Sequence, residues 1–140
     1  MSNITSTKAK PQAPQAAPDA NAIASLIRGI LGIALILPGL ITGSAPWILI
    51  GILGITALIC SVLAVILGSA SLGDAYKRGE RASVVATAGS NLGWIGVWFP
   101  VALCAFLAIF GGKPWTGVAA FVYLGIAAFL MYYTRRNYRR

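Results

Sequence analysis

Apolar residues run along this chain in blocks too long for the strands or helices of a soluble domain. No Asp, Glu, Lys or Arg occurs from Gly29 to Gly73, from Ala82 to Gly112, or from Pro114 to Thr134. A helix rises about 1.5 Å per residue and the hydrocarbon core of a bilayer is about 30 Å thick, so each block can supply one or two spanning helices. Turn and cap residues divide the blocks. The pattern predicts an all-α fold, a polytopic transmembrane bundle of four helices arranged as two α-hairpins, at approximately 22–42, 46–68, 82–110 and 115–133. Pro38 is expected to kink the first helix, and Gly43-Ser44-Ala45 to make a tight turn before Pro46 at the first turn of the second. Gly68 reads as the second helix's C-terminal cap, with Ser69–Arg81 as a loop after it. The block from Ala82 to Phe110 exceeds a simple span. Its start, with Ser83, Thr87, Ser90 and Asn91, is therefore expected at the interface, leaving 92–110 to cross.

The ends of the chain read differently. Residues 1–20 are rich in Ala, Pro, Gln, Ser and Thr and hold almost no large apolar side chain, so they predict a disordered cytoplasmic tail. Gly43-Ser44-Ala45 has the small-residue look of a signal-peptide cleavage site, but the polar region before it is too long and Pro46 would follow the cut. No cleavage is expected. Residues 135–140 form a short basic cytoplasmic tail.

Composition sharpens this picture. With 58% hydrophobic residues, only 10% charged and a mean hydropathy of +0.80, water cannot be the main solvent. The net charge of +8 does not point to nucleic acid, because the basic residues flank apolar runs instead of forming a polar, aromatic-interleaved face. They set topology instead. Of 11 Lys and Arg residues, Lys113 alone falls on one side. The other ten, Lys8, Lys10, Arg28, Lys77, Arg78, Arg81, Arg135, Arg136, Arg139 and Arg140, fall on the opposite side, which predicts an inner-membrane protein with both termini cytoplasmic. Trp47 and Trp115 mark the outer surface, and Tyr76, Tyr132, Tyr133 and Tyr138 the inner one. The basic groups are expected to anchor on anionic lipid headgroups, with Arg28 either snorkelling to the interface or meeting a carboxylate or lipid phosphate. Arg28 does not forbid insertion. Ten Leu and Ile from Leu26 to Ile41, each contributing roughly 0.3 to 0.6 kcal/mol, outweigh the roughly 3 kcal/mol an arginine costs at mid-membrane.

Small residues recur at spacings of three and four in every predicted helix. The first has Gly29, Gly32, Ile36, Gly39 and Gly43; the second Gly51, Gly54, Leu58, Ser61, Val65 and Gly68; the third Gly89, Gly93, Gly96 and Pro100; the fourth Gly117, Ala120, Leu124 and Ala127. In lipid, helices associate through close backbone approach instead of the hydrophobic effect, so these seams predict tight helix packing. The two outer turns, Gly43–Trp47 and Gly111–Trp115, resemble each other, as a duplicated hairpin or as two uses of one good turn.

Catalytic chemistry is largely excluded by absence. There is no histidine, which removes histidine-ligated haem, histidine metal sites and histidine-based triads. Asp19, Asp74 and Glu80 all lie outside the expected spans, so no carboxylate supports a proton relay. Cys60 and Cys104 read as reduced core residues, and no cofactor or enzyme activity is expected. Asn91 is open to two readings, a hydrogen bond across helices or a place among headgroups. Trp94 and Trp98 are ordinary packing residues or the lining of a quinone or lipid tail site.

The stretch from Leu63 to Gly96 carries Leu67, Gly68, Ser71, Leu72, Arg78, Gly79, Arg81, Gly89, Leu92 and Gly93. With these residues it resembles a family of small actinobacterial membrane proteins of unknown function. The resemblance implies a hairpin and no activity, and it suggests a respiratory bc-type or oxidase supercomplex as host. The chain as a whole reads as a non-catalytic accessory subunit partnered by other integral membrane subunits. A holin-like self-assembling pore is the second reading and a lipid or quinone binding protein the third.

Overall fold

The structure, a computed structural model, describes residues 12–41, 47–111 and 114–138. Four α-helices follow in order: α1 (Ala20–Ile41), α2 (Trp47–Lys77), α3 (Val84–Phe110) and α4 (Pro114–Tyr138). All four are long and apolar enough to cross a membrane. The all-α transmembrane bundle read from the pattern is the architecture observed.

Three boundaries differ from expectation. Helix α2 does not stop at Gly68 but runs nine residues further, to Lys77. Gly68 is buried inside the bundle, where a Cβ would lie 2.8 Å from Ser25 Oγ and 2.9 Å from Ser90 Cβ. The cap is Gly79, in the left-handed region at φ 69°. Its amide donates to the Tyr76 carbonyl at 3.0 Å, and the Glu80 amide donates to the Ala75 carbonyl at 3.0 Å. This pair of bonds closes a helix C-terminus at a left-handed residue. Helix α3 is continuous from Val84, with Ser83 as N-cap: its Oγ accepts from the Ala86 amide at 3.1 Å. Residues 84–91 are thus the first turns of the same helix. Helix α4 continues to Tyr138, so Arg135 and Arg136 are helical.

Residues 12–19, expected within a disordered tail, lie along the α2–α3 turn. The Ala16 amide donates to the Arg81 carbonyl at 2.8 Å and the Arg81 amide to the Pro14 carbonyl at 2.9 Å, making a parallel bridge between Gln15 and Arg81. Backbone pairing does here what the polar composition could not do by burial. Asp19 then caps α1, its Oδ1 accepting from the Ala22 amide at 2.7 Å.

Packing divides the bundle as three plus one. Consecutive helices pack together, as two hairpins require, but α3 also packs along both α1 and α2. Helix α4 lies against α3 and more lightly against α2, and does not meet α1 among the described residues. Its contact is a small apolar cluster of Val65, Val97, Ala127 and Leu130, flanked by Val62, Ile66, Trp94 and Ile126. The two outer turns whose likeness suggested duplication lie mostly outside the described residues.

Candidate functional site

The closest approaches in the bundle run along a seam where α1, α2 and α3 meet. Ser25 of α1 is fully buried and donates to the Ala64 carbonyl of α2 at 2.8 Å. A Cβ added at Gly89 would collide with Ser25 Oγ and stand 2.6 Å from the Leu26 nitrogen. One turn on, a Cβ at Gly93 would be 2.9 Å from both the Ser61 carbonyl oxygen and the Val65 nitrogen. Ser61 fills the next level. Its hydroxyl donates to the Ala57 carbonyl at 2.8 Å, and a Cβ at Gly32 would lie 2.6 Å from Ser61 Oγ, while one at Gly96 would overlap that hydroxyl. A Cβ at Gly29 would be 2.9 Å from Leu92 Cβ. Glycine thus admits serine, and each of these serines donates to a backbone carbonyl, so its polarity is absorbed within the bundle.

The seam takes in Gly29, Gly32, Gly89, Gly93 and Gly96 of the candidate packing glycines. Gly54 does not belong to it: a Cβ there would meet nothing within 4 Å. Among the described residues, the buried small residues of the second helix begin at Ala57. Gly117 is half-buried on α4. Gly39 and Gly51 lie in α1 and α2, but their surroundings fall outside the described residues, as do those of Trp47. Ser25 and Ala64 were missed by a search for glycine spacing. Ser25, four residues before Gly29, continues the spacing of that helix and was the available signal.

One end of the bundle collects the charge. Lys77 ends α2, and Arg78 follows it, pairing through Nε with Glu80 at 3.1 Å. Arg81 is exposed and reaches Gln12 Oε1 at 3.2 Å. Arg135 and Arg136 are exposed near the end of α4, on the same side, because Leu130 packs beside Val97 and Val65. Arg139 and Arg140 lie outside the described residues. At this end Ser71 of α2 donates to Asp19 Oδ1 at 2.8 Å, so one carboxylate both caps α1 and ties it to α2. Trp115, at the start of α4, is exposed at the other end.

Arg28 is half-buried on α1 and has no hydrogen-bond or ion-pair partner among the described residues. Trp94 and Trp98, four apart on α3, differ in burial. Trp94 packs against the α2–α3–α4 cluster, whereas Trp98 is 41% exposed. Cys60 and Cys104 are free and half-buried, and no group of metal-binding side chains occurs among the described residues. A cleft of about 100 Å³ opens between α1 and α3, lined by Ile33, Ile36, Leu37, Ile95, Gly96 and Phe99. No protein-family model, curated protein or solved structure matches the chain.

Proposed function

We propose that this protein is a non-catalytic accessory subunit of a larger membrane assembly, set in the inner membrane with both termini in the cytoplasm. The observation that carries this reading is the closed glycine–serine seam. Hydroxyls that would line a pore donate to backbone carbonyls inside the bundle, and no fully buried side-chain polar atom lacks a partner among the described residues. A rigid apolar body with charge at one end is suited to dock and anchor, and among the described residues its glycine–serine seam holds no carboxylate, histidine or cysteine with which to catalyse. The orientation rests on the basic residues, which gather at one end and belong inside by the positive-inside rule. Anionic headgroups would meet Lys77, Arg78, Arg135 and Arg136 there. The α1–α3 cleft favours a lipid acyl chain as a second ligand. It gives a quinone's carbonyls no donor, since its lining side chains are all apolar.

Two measurements test the proposal. Solubilised from native membranes in mild detergent, the protein should migrate with larger membrane proteins, a respiratory bc-type or oxidase assembly being the first host to look for. Purified and placed in liposomes at low protein-to-lipid ratio, it should leave proton and potassium gradients intact. Rapid leakage abolished by Ser61→Ala would replace the subunit with a pore.

The topology yields its own expected result. A reporter active only in the cytoplasm should give signal when fused at Gly79 or after Arg140, and none at Ser44 or Gly112. Signal at Ser44 would overturn the four-span orientation.

A further inference from the structure

The outer face of α3 carries a second stripe. Thr87, Asn91, Ile95, Trp98, Ala102 and Phe106 recur at spacings of three and four, and all six are exposed. The opposite face of the same helix is used up by α1 and α2 at Gly89, Gly93 and Gly96 and by α4 at Val97. Among the described residues no helix of this chain covers the outer stripe except at Ile95, which borders α1 in the cleft.

Asn91 is the exceptional member. It lies eight residues beyond the cap Ser83, about 12 Å along the helix and inside the candidate span Val84–Phe106. Two other exposed polar side chains on the spans satisfy themselves: Thr87 donates to the Ser83 carbonyl at 3.1 Å, and Thr56 to the Ile52 carbonyl at 2.9 Å. The Asn91 carboxamide, with two donors and an acceptor, has no hydrogen bond among the described residues. It is an unmet demand facing outward at a fixed depth.

We propose that two copies of this chain pair through α3, with Asn91 bonded to Asn91 of the second copy. Identical chains insert with the same orientation, so each presents its Asn91 at the same depth. A carboxamide is its own complement, donating to and accepting from its twin. A two-fold axis along the membrane normal lays stripe on stripe, and spacings of three and four suit a left-handed crossing in which one polar residue fixes the register. Acyl chains at that depth offer no hydrogen bond, and an unrelated helix would need a polar group at the same level. The pairing requires no host complex, so its test is independent of the subunit reading.

Membranes holding full-length chain with Cys60→Ala and Cys104→Ala provide the background. Single variants Asn91→Cys and Ile95→Cys should cross-link to a homodimer on mild oxidation, whereas Gly125→Cys, on the open side of α4, should not. In liposomes, dye-labelled chains should show energy transfer at low density. Asn91→Leu, which inserts at least as well, should raise the dissociation constant roughly three- to twentyfold, and Asn91→Gln should keep most of the affinity. Equal energy transfer for Asn91→Leu and the parent, equal cross-linking at Gly125→Cys, or a cross-linked product of Asn91→Cys containing a different protein would each overturn the pairing.

Discussion

Replacing Gly89 with leucine is expected to unseat α3 from α1 and to lower the stability of the bundle by about 3 kcal/mol or more, toward the upper range for overpacking. The first added atom already meets backbone: a Cβ would stand 2.6 Å from the Leu26 nitrogen and 2.8 Å from the Ser25 carbonyl carbon. Side chains can rotate away from such a contact, but two helix backbones can only separate. Separation also loses the close approach of Gly29 to Leu92 and Gly93. Insertion should survive, because leucine partitions into the bilayer more readily than glycine. Gly54→Leu is the matched control. With nothing within 4 Å of its Cβ, it should be neutral or stabilising by roughly 0.5 to 1 kcal/mol, the helix propensity lost at glycine. Reversible unfolding in mixed micelles, with the denaturing detergent as titrant, reads both. Coincident midpoints for the two variants would show that the seam does not hold the bundle together.

The contrast between these glycines shows how much of the molecule was legible beforehand. Spans, helix count and fold class followed from charge-free blocks, because a bilayer leaves a chain few other ways to satisfy its backbone. Periodicity then marked a face of each helix, but a face is not a neighbour. Gly54 and Gly93 sit in equally good patterns, and only the crossing of α2 and α3 decides that one is pressed on Val65 while the other is open. Long-range partners were hidden for the same reason: Ser25 has its acceptor on Ala64, 39 residues away. The misplaced end of α2 has a local cause. Ser69 follows Gly68 and reads as a breaker, yet its hydroxyl donates to the Ile66 carbonyl at 2.9 Å, a bond that keeps a serine inside a helix. Gly79, eleven positions after Gly68, carries the left-handed backbone that ends it.

Asp19 is expected to be the most sensitive polar position at the charged end, because one carboxylate oxygen serves two donors. It accepts from the Ala22 amide at 2.7 Å and from Ser71 Oγ at 2.8 Å, and Ser71 is only 5% exposed. In Asp19→Ala the helix loses its cap, worth roughly 0.5 to 2 kcal/mol. A nearly buried hydroxyl on α2 is also left without its acceptor, a cost of roughly 1 to 3 kcal/mol that nearby water reduces. A loss of about 2 kcal/mol follows, and Asp19→Asn should recover most of it, since the amide oxygen accepts both bonds and only the charge beside the helix N-terminus is missing. The loss should also be non-additive. In a double-mutant cycle with Ser71→Ala, the second substitution should cost little once the first is made, with a coupling of about 1 kcal/mol. Hydrogen exchange separates the two roles: the Ala22 amide should exchange faster in Asp19→Ala and keep its parent rate in Ser71→Ala. The Ala16 amide, bonded to the Arg81 carbonyl, reports by itself on the strap that residues 12–16 form along the α2–α3 turn. If it loses protection along with Ala22 in Asp19→Ala, the strap depends on the cap; unchanged protection at Ala16 shows that backbone pairing holds residues 12–16 unaided.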